Sequence, residues 1–116
     1  MPLLELTFIH LDGFTRQWRR YRLFDEDLQA LESHLVVEPE AGAAMSGTGG
    51  LRKVRFAPPS QRRGKSGAYR VCYAYFRFGQ TVLLAAVFAK SDKANLSAGE
   101  KAEYKKIIAA LKPRSS

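Results

Sequence analysis

The chain is poor in the side chains that most often bind metals or form disulfides, with one cysteine and two histidines among 116 residues. A single thiol, Cys72, excludes an internal disulfide, agrees with a reducing compartment and is interpreted as a small apolar filler within a strand. His10 and His34 lie far apart in the sequence, so no zinc-ligand spacing is present and no metal is expected. A Ser/His/Asp or Cys/His triad stays open, although a histidine on an amphipathic helix is usually a surface residue.

Long hydrophobic runs are also missing. The longest, Val82 to Ala89, is far shorter than the roughly 18 residues of a membrane-spanning helix, and no basic segment precedes an apolar one near Met1. The sequence has no internal repeat, and its GTGG stretch (47–50) lacks the Gly-Lys-Ser/Thr ending of a Walker loop. We therefore expect a soluble, cytoplasmic protein with a single domain over residues 1–116 and no membrane contact.

Basic charge is what the sequence has in excess. Lysine and arginine total 19 against 11 acidic residues, which gives a formal net charge of +8. Such an excess favours a polyanionic partner: nucleic acid, an acidic protein or, least of the three, an anionic membrane surface.

Alternating and helical periodicities predict an α+β fold. Three consecutive antiparallel strands are predicted over Leu51–Ala57, Tyr69–Phe76 and Thr81–Ala89, the last buried on both faces. The other predicted elements are a strand over Leu3–His10, helices over Thr15–Arg22 and Asp25–Val37, a loop over residues 41–50, and a final helix that begins with the capping box Ser97-Ala-Gly-Glu100. The order β-α-α-β-β-β-α predicts an antiparallel sheet of about four strands, with an N-terminal helix pair, a C-terminal helix and the helices on one face.

A cluster of basic residues is predicted on the other face of this sheet. The strand period of two places Lys53 and Arg55 opposite the apolar Val54 and Phe56, and Arg70 joins them if the bulky face of its own strand packs on the helices. Like charges on neighbouring strands repel each other unless an anion joins them. We therefore interpret the cluster as a site for a phosphodiester.

Three stretches of the chain carry a family resemblance: GTGGLRKVRF, RRGKSGAYRVCYAYF, and FAKSDKANLS followed by a helix that begins with a glutamate. Together they resemble the RelE/ParE superfamily of toxins, and within it the HigB-like branch. The resemblance implies a RelE-like fold and a type II toxin that cleaves mRNA in the ribosomal A site, for which we expect no metal or cofactor. It also implies a cognate antitoxin, the ribosome and mRNA as partners, with operator DNA bound only through the antitoxin.

The resemblance also implies which residues act. Four residues match catalytic basic positions of RelE, namely Lys53, Arg55, Arg70 and Lys90. Ser91 stands where RelE has a catalytic arginine, and Ser97 falls near the position of its catalytic tyrosine. Contacts with RNA or the ribosome are expected from the neighbouring basic residues Arg52, Arg62, Arg63, Lys65 and Lys93.

The chemistry expected at such a site is attack by the RNA 2′-hydroxyl on the adjacent phosphate, which needs a base, a neutralised oxyanion and a protonated leaving oxygen. No histidine is near these residues in the sequence, so we expect Lys53 or Lys90 to act as the base while arginines hold the phosphate. Two alternatives stay open: a ParE-type inhibitor of DNA gyrase, and a nucleic-acid-binding module without catalysis.

Overall fold

The computed structural model describes residues 5–61 and 68–112. The described strands are β1 (Thr7–His10), β2 (Ala43–Ala44), β3 (Leu51–Phe56), β4 (Tyr69–Phe76) and β5 (Thr81–Ala89), and the described helices are α1 (Asp12–Arg20), α2 (Asp25–Val37) and α3 (Ala98–Leu111). Over these residues the strands form one sheet in the order β1-β5-β4-β3-β2. No helix in the described ranges is long and apolar enough to cross a membrane.

The α+β class and the order of the larger elements are confirmed, and α2, β4 and β5 have the predicted bounds. The structure differs at the edges of the sheet, where β2 lies in the stretch predicted as a loop and β1 pairs with β5 in parallel. Alternation fixes which side chains share a face of a strand, but it carries no information on the strand's neighbour or direction. Helix α1 begins earlier than predicted, at Asp12, whose carboxylate suits the first turn of a helix.

Helices cover both faces of the sheet. On one face α1 and α2 pack on the sheet through Phe14, Trp18, Leu31 and Leu35. On the other face, Ile108, Ile107 and Tyr104 of α3 pack against a second cluster that includes Leu51, Cys72 and Leu83. The prediction of helices on one face is therefore wrong for α3. A strand such as β5, whose residues 82–85 are all buried, needs apolar cover on each side.

A buried carboxylate joins the start of α2 to the segment after β3. Asp27 is 0% exposed, and its carboxylate accepts hydrogen bonds from the backbone N–H of Phe24 (2.8 Å), the backbone N–H of Ser60 (2.9 Å) and the Ser60 hydroxyl (2.6 Å). These bonds cap α2 and tie it to the chain that leaves β3.

We expect Asp27→Ala to lower the free energy of unfolding by about 2–4 kcal/mol, because it leaves donors without an acceptor in the interior. Asp25→Ala is the matched control, since Asp25 is an exposed carboxylate in the same first turn and its loss should cost less than about 1 kcal/mol. Urea denaturation of both variants measures the difference. Equal losses would contradict the role assigned to Asp27.

Candidate functional site: a basic pocket on the α3 face

A cavity of about 450 Å³ opens on the α3 face of the sheet, where β3 ends and β4 begins. Its described lining consists of Lys53, Arg55, Arg70, Lys90 and Lys93, with Ala43 and Ala94. No acidic residue belongs to this part of its lining. We call it the basic pocket, and it brings together the four residues for which the sequence predicted a catalytic role.

Strand register places the central charges. Arg55 of β3 lies directly opposite Arg70 of β4, and Lys53 lies opposite Cys72. Side chains opposite each other on one face of an antiparallel pair have Cβ atoms about 4.5–5.5 Å apart, so like charges there are destabilising. Arg70 Nη1 also donates a hydrogen bond to the carbonyl of Tyr69 (3.2 Å). An anion seated between the two arginines would remove their mutual repulsion.

The wall of the basic pocket at β2 depends on a close approach between the backbones of Gly42 and Lys53. A Cβ at Gly42 would lie 3.0 Å from the backbone carbonyl of Lys53 and from the ring of Tyr73, so only glycine fits this place without a shift. The Gly42 N–H donates to the Tyr73 hydroxyl (2.9 Å), and Ala43 pairs with Lys53 in the sheet. The edge of the basic pocket is thereby fixed beside Lys53.

The connection from β5 to α3 carries the two other lysines and is held at several points. The Lys90 N–H donates to the Ala68 carbonyl (3.0 Å), and the Asp92 carboxylate accepts a hydrogen bond from the Tyr21 hydroxyl (2.6 Å). Lys93 Nζ donates to both carboxylate oxygens of Glu100 (2.8 and 2.9 Å). The hydrogen bond from Lys93 is the main reason that the pKa of Glu100 is lowered.

The capping box predicted at the start of α3 is confirmed. The Ser97 hydroxyl accepts from the Glu100 N–H (3.1 Å), and the Glu100 carboxylate accepts from the Ser97 N–H (2.8 Å). Ser97 is therefore engaged as a helix cap, and Ser91 is exposed in the turn after β5. Neither serine belongs to the described lining of the basic pocket.

Not every predicted contact residue joins the basic pocket. Arg52 lies on the opposite face of β3, where its guanidinium donates to the carbonyls of Gly42 (2.8 Å) and Glu40 (3.3 Å) and lies 3.6 Å from the Glu40 carboxylate. The predicted Arg62, Arg63 and Lys65 lie outside the described residues.

Sequence reasoning missed two contacts at the site. Glu100 was recognised as a cap but not as the partner of Lys93, and Tyr21 was not recognised as the partner of Asp92. Tyr21 and Asp92 are far apart in the chain, and no local pattern signals that they meet.

Cys72 lies on this face, fully buried and in register with Lys53. Burial raises the pKa of its thiol to about 12, against the opposing effect of the Lys53 and Lys93 charges. A thiol that is neutral and inaccessible at neutral pH cannot act as a nucleophile.

We therefore expect the folded protein to resist alkylation of Cys72 by iodoacetamide at pH 8, and the protein in denaturant to take up one label per chain. Intact-mass spectrometry after timed labelling measures both rates. Full labelling of the folded protein within minutes would show that the thiol is reactive.

Within the described residues, no cluster of His, Cys, Asp or Glu side chains could hold a metal ion. Any charge stabilisation that these residues offer at the basic pocket comes from lysine and arginine.

Comparison with known proteins identifies the family. Residues 9–115 match the family model described as the RelE toxin of the RelE/RelB toxin-antitoxin system. The chain belongs to the RelE toxin family. Its resemblance to RelE is thus confirmed, and the assignment to the HigB-like branch stays a prediction.

Solved structures show the same fold. The isolated E. coli RelE toxin is 18% identical to this chain in sequence and superposes on it with a TM-score of 0.51. The match covers 89% of this chain and 99% of that chain. An arginine-to-alanine mutant of E. coli RelE in the free state is 16% identical with a TM-score of 0.55, over 89% of this chain and 97% of that chain. The intact E. coli RelBE toxin–antitoxin complex contains a chain that is 17% identical with a TM-score of 0.52, over 73% of this chain and 96% of that chain.

Proposed function

We propose that this RelE-family protein is an mRNA endonuclease that cleaves mRNA in the ribosomal A site. The observation that carries the proposal is the basic pocket, in which β3, β4 and the β5–α3 connection bring Lys53, Arg55, Arg70 and Lys90 together. Five basic residues line this pocket and no acidic residue belongs to its described lining, which suits a phosphodiester.

The proposed reaction uses the RNA 2′-hydroxyl as the nucleophile. A base removes its proton, the 2′-oxygen forms a bond to phosphorus, and the bond from phosphorus to the 5′-oxygen breaks as that oxygen gains a proton. The products are a 2′,3′-cyclic phosphate and a 5′-hydroxyl. Arg55 and Arg70, opposite each other on β3 and β4, would hold the non-bridging oxygens on which charge accumulates.

The two proton transfers are assigned to lysines. Lys53 is half-buried in the wall of the basic pocket, and Lys90 is exposed at its rim. One lysine on each side of the phosphate would serve the attacking and leaving oxygens, with Lys53 or Lys90 as the base. The ribosome would hold the mRNA so that the 2′-oxygen, the phosphorus and the 5′-oxygen lie in line, and the protein alone would not need to impose that geometry.

The partners are proposed on the same basis. E. coli RelE has been solved in a complex with RelB, and we infer that a cognate antitoxin binds this chain and carries any contact with operator DNA. Arg62, Arg63 and Lys65 are proposed to contact ribosomal RNA or mRNA. We expect Lys93 to contribute less to RNA binding, because Glu100 already neutralises its charge.

Primer extension on ribosomes programmed with a defined mRNA tests the proposal. We expect new 5′ ends within the A-site codon that require both the ribosome and the protein. A ParE-type inhibitor would produce no such ends and would instead block supercoiling by purified DNA gyrase. A module that only binds RNA would shift RNA mobility without producing either effect.

A further inference from the structure

A second cavity, of about 380 Å³, lies beside the basic pocket between α1, β5 and the start of α3. Its floor is the apolar stretch of residues 85–88 of β5, and its walls include Arg16 and Gln17 of α1 and Tyr104 of α3. Lys93 lines both this cavity and the basic pocket, so the two adjoin each other. We call it the α1 cavity.

The fold explains why space remains here. Strand β1 pairs with β5 only as far as Leu84, and a register shift then leaves Ala85 unpaired between the partners of Cys72 and Tyr73. Beyond that bulge β5 has no pairing with β1 among the described residues, and α1, which contacts β5, borders the space. At Gly13 of α1 there is no side chain to fill the gap, since a Cβ there would meet only Arg16 Nη2, at 3.7 Å.

Three polar groups in the walls are available to a ligand. Among the described residues, the Arg16 guanidinium, the Gln17 amide and the Tyr104 hydroxyl have no hydrogen-bond partner. Burial raises the pKa of Tyr104, so its hydroxyl stays neutral and can both donate and accept at neutral pH. The Lys93 and Glu100 charges at the boundary neutralise each other.

We propose that the α1 cavity binds the base of the nucleotide next to the phosphate held in the basic pocket. The inference rests on the proposed function and extends it to base selectivity. A nucleobase has apolar faces and an edge of donors and acceptors, which matches an apolar floor with amide, guanidinium and hydroxyl groups in the walls. The cavity volume lies within the roughly 300–1,000 Å³ of small-molecule sites. Because Lys93 lines both cavities, one RNA strand can place a phosphate in the first and its base in the second.

Gly13→Leu tests the proposal by filling the α1 cavity. Leucine is favoured over glycine in a helix, and the position has no positive φ, so the substitution should not harm the fold. Gly99→Leu is the matched control, because Gly99 is also the second residue of its helix, is exposed, and belongs to the described lining of neither cavity. Gln17→Ala provides a second variant that removes a recognition group without filling space.

Two probes separate the cavities in NMR titrations of the isolated protein. Inorganic phosphate should shift the amides of Lys53 and Arg70, whereas a dinucleotide with a 2′-deoxy linkage, which cannot be cleaved, should also shift those of Gln17 and Ala86. We expect Gly13→Leu to weaken dinucleotide binding by about tenfold or more and to leave phosphate binding unchanged. We expect Gly99→Leu to change the binding of neither probe. We expect Gln17→Ala to change the base preference of cleavage on ribosomes.

The results distinguish this inference from the proposed function. Dinucleotide shifts confined to the basic pocket, or equal binding by Gly13→Leu and Gly99→Leu, would overturn the α1 cavity as a base site and leave the endonuclease proposal intact. Dinucleotide binding in both cavities without any ribosome-dependent cleavage would overturn the endonuclease proposal alone. Failure of both probes to bind would overturn the α1 cavity as a base site, and together with an absence of ribosome-dependent cleavage it would overturn both proposals.

Discussion

Lys53→Ala and Arg70→Ala are each expected to slow A-site mRNA cleavage by about 10² or more, the usual scale for losing a general base or a group that stabilises the oxyanion. The expectation follows from register, because Arg70 lies opposite Arg55 and both line one cavity with Lys53. Single-turnover cleavage on programmed ribosomes, at saturating protein, measures the chemical step apart from binding. Circular dichroism confirms that each variant is folded.

Matched controls separate chemistry from general charge. Arg77→Ala removes the same charge from an exposed turn just after β4, whereas Arg70 lies near the start of that strand, so we expect little change in the chemical step. Arg70→Lys keeps the charge but loses the planar fork that can hold two phosphate oxygens, and an intermediate rate is expected. Cys72→Ala should retain cleavage. Equal losses in Arg77→Ala and Arg70→Ala, or loss with Cys72→Ala but not with Lys53→Ala, would show that the site is wrongly assigned.

The basic pocket could be predicted from the sequence because the side-chain period of a strand is two. That rule separates Lys53 and Arg55 from Val54 and Phe56 whatever the neighbouring strands are. The bounds of β4 and β5 were predictable for a different reason: β-branched and aromatic residues fill these strands, and turn residues delimit them. The start of α3 followed from the local chemistry of Ser97 and Glu100.

Features that depend on long-range contacts could not be predicted in this way. The parallel pairing of β1 with β5 and the position of α3 on the second face result from how elements meet in space. The Lys93–Glu100 ion pair and the Tyr21–Asp92 hydrogen bond join separate elements, so no periodicity signals them. The α1 cavity also depends on how elements meet, because β1 pairs with β5 only as far as Leu84, β5 has a bulge at Ala85 and Gly13 of α1 has no side chain.

The two basic residues at the start of β3 show why composition alone does not define a site. Arg52 and Lys53 are adjacent in sequence but lie on opposite faces of the sheet. The Arg52 guanidinium contacts the Glu40 carboxylate and donates hydrogen bonds to two backbone carbonyls. Arg52 also lies opposite Ala44, the last residue of the short β2. Lys53 lies in a cavity whose described lining contains no acidic residue. We infer that Arg52 anchors the stretch before β3, whereas Lys53 faces an anion.

Expression of this chain alone is expected to stop growth by arresting translation, and co-expression of the cognate antitoxin is expected to restore it. An mRNA endonuclease turns over, so few active molecules suffice, whereas an antitoxin present well above its dissociation constant leaves little free toxin. Colony counts measure the loss of growth. Incorporation of labelled methionine and labelled thymidine after induction shows whether protein or DNA synthesis fails first.

Arg70→Ala is the decisive control for this experiment, because it should relieve the arrest at equal protein levels while Arg77→Ala stays toxic. Methionine incorporation should fall before thymidine incorporation, since the proposed primary target is mRNA on the ribosome. A gyrase inhibitor would reverse that order, and its toxicity would not depend on Arg70 as a phosphate ligand. Normal growth with abundant folded wild-type protein would contradict the proposed function, because an active A-site endonuclease without its antitoxin leaves cells unable to complete their proteins.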